Sequence, residues 1–81
     1  IIMFAKCKAK LIYASNHEIE KNLKGYEGCL MANEDERASF VVNGDETAFF
    51  HTSPVKKVTV FGRFVKIKTE NSLYCFEAVR K

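Results

Sequence analysis

The strongest constraint on this chain is a two-residue break. Gly62-Arg63 separates Val55–Phe61 from Phe64–Thr69, two runs in which apolar and polar side chains alternate. A Gly-X loop of this length joins antiparallel strands as a type II′ turn, because glycine takes positive φ at the first central position and the turn matches the twist of the strands. One register follows: Phe61 with Phe64, Val60 with Val65 and Val58 with Ile67, with Thr59 opposite Lys66 and Lys57 opposite Lys68 on the other face. One face is apolar and the other basic, so a slip of a single residue would put the valines in water. The next loop, Thr69-Glu70-Asn71-Ser72, extends the same apolar face by pairing Ile67 with Tyr74 and Val65 with Phe76. Asn71 is expected to supply a positive φ there, and Thr69 or Ser72 a local hydrogen bond.

Upstream, Met3 to Tyr13 alternates, with Met3, Ala5, Cys7, Ala9, Leu11 and Tyr13 on one side and Phe4, Lys6, Lys8, Lys10 and Ile12 on the other. This is the pattern of a half-buried strand. Ser15-Asn16-His17-Glu18 fits a capping box, with Ser15 as the cap and Glu18 reaching back to it. A short helix should follow, with Ile19 and Leu23 as its apolar ridge and Gly25 as its left-handed terminator. Tyr26 to Ala32 suits a strand, and residues 33–37 suit an acidic turn. Phe40–Val42 and Thr47–Thr52 read as a hairpin around Asn43-Gly44-Asp45-Glu46. Ser53-Pro54 is expected to interrupt the ladder, since proline has no amide to donate.

These 81 residues are too few for two separate cores. With 47% hydrophobic residues, 28% charged and one proline, the chain is globular rather than disordered. The expected fold is therefore a single domain over residues 1–81, mainly β (α+β). About six antiparallel strands should form a bent sheet or small open barrel, with one short helix after the first strand.

The chemistry-bearing residues are few. Cys7, Cys29 and Cys75 are odd in number and lack C-x-x-C spacing, so they read as apolar thiols of a reducing compartment, and the expected location is the cytoplasm. Neither His17 nor His51 stands at metal-ligand spacing from them, so no metal and no cofactor is expected. Lys6, Lys8 and Lys10 interrupt the apolar start before a signal-peptide core could form, and no run approaches a membrane span. His51-Thr52-Ser53 offers a base and hydroxyls, but neighbouring residues on a strand point to opposite faces. Nucleotide-binding and hydrolase motifs are lacking, and the expectation is a non-enzyme with no catalytic residues.

What remains is charge. The formal charge of +3 divides into +3 for residues 1–14, −5 for residues 15–46 and +5 for residues 47–81. Such bipolarity fits a protein partner, or a homo-oligomer in which acidic loops of one copy meet the lysines of another. The outer face of the Gly62 hairpin carries Lys57, Phe61, Phe64, Lys66 and Lys68, to which Lys6, Lys8 and Lys10 would add if the first strand lies beside it. Rings interleaved with ammonium groups also suit single-stranded nucleic acid, where bases stack and phosphates are neutralised. Against that stand Glu34, Asp35, Glu36, Asp45 and Glu46, which repel phosphate. The plainest alternative is that the lysines are solubilising gatekeepers of a sheet edge and the phenylalanines cap the hairpin. The leading expectation is a small module acting by protein–protein interaction or self-association, with nucleic-acid binding second.

The segments His51-Thr52-Ser53-Pro54-Val55 and Val65-Lys66-Ile67-Lys68-Thr69-Glu70-Asn71-Ser72-Leu73-Tyr74 resemble a T-S-x-V … T-x-N-S-x-Y pattern of small uncharacterised bacterial and phage-type proteins. The resemblance spans about a third of the chain. It implies a bacterial or phage origin, and no activity or site residue comes with it.

Overall fold

A computed structural model of the chain describes residues 4–43 and 49–79, with side-chain surroundings from residue 7 onward. Its elements in order are β1 (Phe4–Ala14), α1 (His17–Leu23), β2 (Glu27–Asn33), β3 (Arg37–Val42), β4 (Phe49–Phe61), β5 (Phe64–Thr69) and β6 (Leu73–Ala78). Consecutive strands pair antiparallel, and β6 returns to β1 through Lys10↔Glu77 and Leu11↔Phe76. The six antiparallel strands thus form a ring-like sheet with one short helix after the first strand, the architecture expected from the sequence. Closure gives the backbone groups of the first and last strands partners they would otherwise lack.

Alternation fills the ring. Both β2 and β5 switch strictly between exposed and buried positions, and Leu11, Leu30, Phe40, Val55, Ile67 and Phe76 are the largest fully buried side chains. Phe40 touches Phe50 and Phe76 at ring-centroid distances of 5.8 and 5.1 Å, and Phe50 stacks on Tyr74 at 5.4 Å. A six-stranded ring is narrow enough for these rings to occupy its interior. At Gly28, β2 and β3 run so close that a Cβ would overlap the Val41 carbonyl, so only glycine fits.

The hairpin registers read from the sequence hold at every pair, from Lys57↔Lys68 to Phe61↔Phe64 and from Val65↔Phe76 to Ile67↔Tyr74. Gly62 has φ +61°, and Arg63 is not in the left-handed region, which is the type II′ combination. Thr69 closes its loop as expected: its Oγ1 accepts the Ser72 amide at 2.9 Å.

Other details differ. Asn71 does not adopt positive φ; Asp35, at +71°, does so in the acidic turn. The helix N-cap is Asn16, whose Oδ1 accepts the amides of Glu18 and Ile19 at 3.1 Å each. Ser15 instead uses its Oγ to accept the Leu73 amide at 2.8 Å, tying the helix entry to β6. Gly25 takes the expected positive φ, +90°, but the helix is already capped at Lys24, and the Gly25 amide donates to the Leu11 carbonyl at 2.7 Å; Ile19 and Leu23 pack against the core. A bulge between Leu11 and Tyr13 turns Tyr13 outward and buries Ala14. Val60 is 51% exposed, although its pairing places it on the apolar face.

Pro54 does not end its strand. β4 runs unbroken through Ser53-Pro54, pairing β3 along its first half and β5 along its second, with irregular registers at Arg37/Ser39 and Val55/Lys57. Side-chain hydroxyls bridge this crossover. Thr52 is buried, and its Oγ1 accepts the Ala38 amide at 3.0 Å while donating to the Ser53 carbonyl at 2.7 Å. Of the expected Asn43–Glu46 hairpin loop, Gly44, Asp45 and Glu46 lie outside the described residues, as do Thr47 and Ala48 of the strand expected to follow.

Candidate binding face on the β4–β5 hairpin

Register alone assembles the face. Because Lys57 pairs with Lys68, Thr59 with Lys66 and Phe61 with Phe64, three rows stack along the outside of β4 and β5. All six side chains are exposed. Phe61 is 78% exposed and Phe64 42%, high for rings of this size. The like-charged Lys57–Lys68 pair costs a few tenths of a kcal/mol relative to a neutral pair.

Ring closure then adds residues that no local pattern announced. β6 lies beside β5, setting Cys75 opposite Lys66 and Glu77 opposite Phe64. β1 follows, with Ile12 on the side opposite buried Leu11, as its alternation predicts. Ile12, Thr59, Phe61, Phe64, Val65, Lys66 and Cys75 together line an open groove of about 370 Å³. Its walls are apolar apart from one hydroxyl and one ammonium group.

The other predicted lysines do not join this face. Lys8 and Lys10 stand on β1, and β6 intervenes between them and the hairpin. Lys10 is set between Glu27 on β2 and Glu77 on β6 as cross-strand neighbours, and Arg63 bridges Glu77 at 3.2 Å. This part of the outer surface alternates in sign and offers no unbroken basic stripe. The Lys6 side chain lies outside those described.

Part of the sequence's charge asymmetry is answered within the chain. The Asp35 amide donates to the Val55 carbonyl at 2.9 Å, the Val55 amide to the Glu36 carbonyl at 2.8 Å, and the Val58 amide to Glu34 Oε2 at 3.4 Å. The acidic turn therefore lies along β4 beside the lysines. Lys56 bridges Glu70 at 3.8 Å. Among the described residues, Lys57, Lys66 and Lys68 make no ion pair.

The residues considered for catalysis lie elsewhere. Thr52 is engaged in the β3–β4 crossover, and His51 is exposed with its ring edge on Phe49 at 5.7 Å. No cluster of three potential metal ligands occurs among the described residues, and no helix among them is long and apolar enough to cross a membrane. Burial, followed by the nearby Cys29, pushes the Cys7 thiol above the usual thiol range, whereas Cys29 itself is exposed. A second groove, of about 520 Å³, separates α1 from β4 between Ile19, Leu23, Tyr26 and Phe49. Its polar lining includes Asn16, whose carbonyl oxygen is committed to the helix cap.

No protein-family model, curated protein or solved structure matches the chain.

Proposed function

We propose that the protein is a small non-catalytic module of the cytoplasm that binds another protein, or a second copy of itself, through the outer face of the β4–β5 hairpin. The observation that carries this reading is Phe61, 78% exposed next to Phe64 on the rim of an apolar groove. Paired exposed rings in a groove lose unfavourable contact with water when a partner covers them, and aromatic side chains dominate the energetics of protein interfaces. Lys57, Lys66 and Lys68 frame the apolar part, supplying the charged rim that steers and orients a partner.

Single-stranded nucleic acid is the second reading, favoured by rings and ammonium groups sharing one strand face. Under it, affinity falls steeply with salt, because phosphate contacts release counterions.

Cysteine alkylation tests the reading, since Cys75 lines the groove while Cys29 is exposed on β2. In a nuclease-treated extract of the source cells, Cys75 should alkylate several-fold more slowly than in dilute purified protein. Cys29 should be unchanged, and Phe61→Ser should remove the difference. Equal Cys75 rates in extract, in dilute protein and in concentrated protein would overturn the proposal.

A further inference from the structure

Resting on that reading, we infer that the occupant of the face is an extended acidic segment of another protein, carrying one bulky apolar side chain about four residues from its acids. The spacing comes from the strands. From the Lys57–Lys68 row to the Phe61–Phe64 row is four residues along β4, about 13 Å at the rise of a strand. Cations and rings are thus segregated, with Lys66 between them at the groove. A peptide can match that order, acids at one end and an aliphatic or aromatic anchor at the other.

Nucleic acid matches it less well. A single strand brings one phosphate with every base, so a strand following the hairpin would carry charge over the Phe61–Phe64 row as well, where Glu77 faces Phe64. A second copy also fits poorly. Glu70 and Glu77 are bridged to Lys56 and Arg63, and the acidic turn is folded against β4 of its own chain. β5 is paired on both sides, with β4 and with β6, so an occupant seated over its outer face docks on side chains rather than by adding a strand.

The test uses the full chain and a fluorescein-labelled peptide of two glutamates, three small neutral residues and a leucine. Saturable anisotropy is expected, with Cys75 protected from alkylation by the peptide and Cys29 not. The double variant Lys57→Glu/Lys68→Glu should weaken binding roughly tenfold or more, since each exposed attraction becomes a repulsion. Phe61→Ser should weaken it by a similar factor, and Lys21→Glu/Lys24→Glu on α1 should change nothing. No saturable binding up to ~1 mM would overturn the inference, as would binding indifferent to the Lys57/Lys68 reversal. Tighter binding of a labelled oligothymidylate, or Cys75 protection that rises with protein concentration alone, would overturn it in favour of nucleic acid or a second copy. If the peptide fails while Cys75 is still protected in nuclease-treated extract, the protein-binding reading survives without this partner chemistry. If Cys75 is protected in neither setting, both fail.

Discussion

Replacing Thr52 by valine removes a hydroxyl while keeping the side chain's shape, which isolates the device that carries β4 through Pro54. Thr52 is 5% exposed, and its Oγ1 both accepts the Ala38 amide at 3.0 Å and donates to the Ser53 carbonyl at 2.7 Å. Valine leaves that amide facing a methyl group beside Ala38, which is 1% exposed and offers water no access. An unsatisfied buried donor costs about 1–3 kcal/mol. At about 4–8 °C per kcal/mol for a domain of this size, Tm should fall by roughly 4 to 24 °C. Total stability of about 4–12 kcal/mol, from the usual range per residue, leaves the variant folded in most of that interval. Thermal and urea unfolding followed by circular dichroism give the magnitude, and amide hydrogen exchange gives the location. The Ala38 amide should lose protection beyond the global change, while the Ile67 amide in β5 should follow the global change alone. A Tm within about 2 °C of the parent, or unaltered Ala38 protection, would refute the reasoning.

Gly28→Ala should cost at least about 2 kcal/mol by urea unfolding, because the clash is with the Val41 backbone and no flexible side chain is there to yield. Asn16→Ala should lower stability by about 1 kcal/mol and reduce the helical circular dichroism signal, identifying Asn16 as the cap. Phe61→Ser should leave stability within about 0.5 kcal/mol of the parent, so any loss of binding in that variant reports on the surface and not on folding. Cys7 should alkylate appreciably only at higher pH than an unhindered thiol, as read by mass spectrometry. Because the folded chain holds that proton more tightly than the unfolded one, the corresponding contribution to stability is complete below the unfolded thiol's pKa and is lost as pH rises through the folded value.

The parts of the fold legible in the sequence are those where a short loop leaves one geometry. Gly62-Arg63 and the Thr69–Ser72 loop each determine a register, and every pair from Lys57↔Lys68 to Val65↔Phe76 follows. The departures arise where two solutions are locally equivalent. Ser15 and Asn16 both cap helices well, and Asn16 takes the role because Ser15 is drawn to Leu73, 58 residues away in the chain. Asn71 and Asp35 both tolerate a left-handed backbone, and only the acidic turn requires it. Pro54 continues a strand because Thr52 supplies an acceptor where the ladder is irregular, a compensation that propensity does not encode. Of the candidate face, the placing of Lys57, Phe61, Phe64, Lys66 and Lys68 on one exposed surface was readable, since it depends on one hairpin. That Ile12 and Cys75 join it was not, because only ring closure sets β6 and β1 beside the hairpin. The same closure separates Lys8 and Lys10 from the hairpin and places Lys10 between two glutamates.

Chemical-shift mapping of the labelled full chain during titration with the acidic peptide tests the binding face most directly. Saturable amide shifts should concentrate at Lys57, Thr59, Phe61, Phe64, Lys66, Lys68 and Cys75, and should vanish in Phe61→Ser. Shifts confined to Ile19, Leu23, Tyr26 and Phe49 at the α1 groove, or none that saturate, would contradict the assignment of the β4–β5 hairpin as the contact surface.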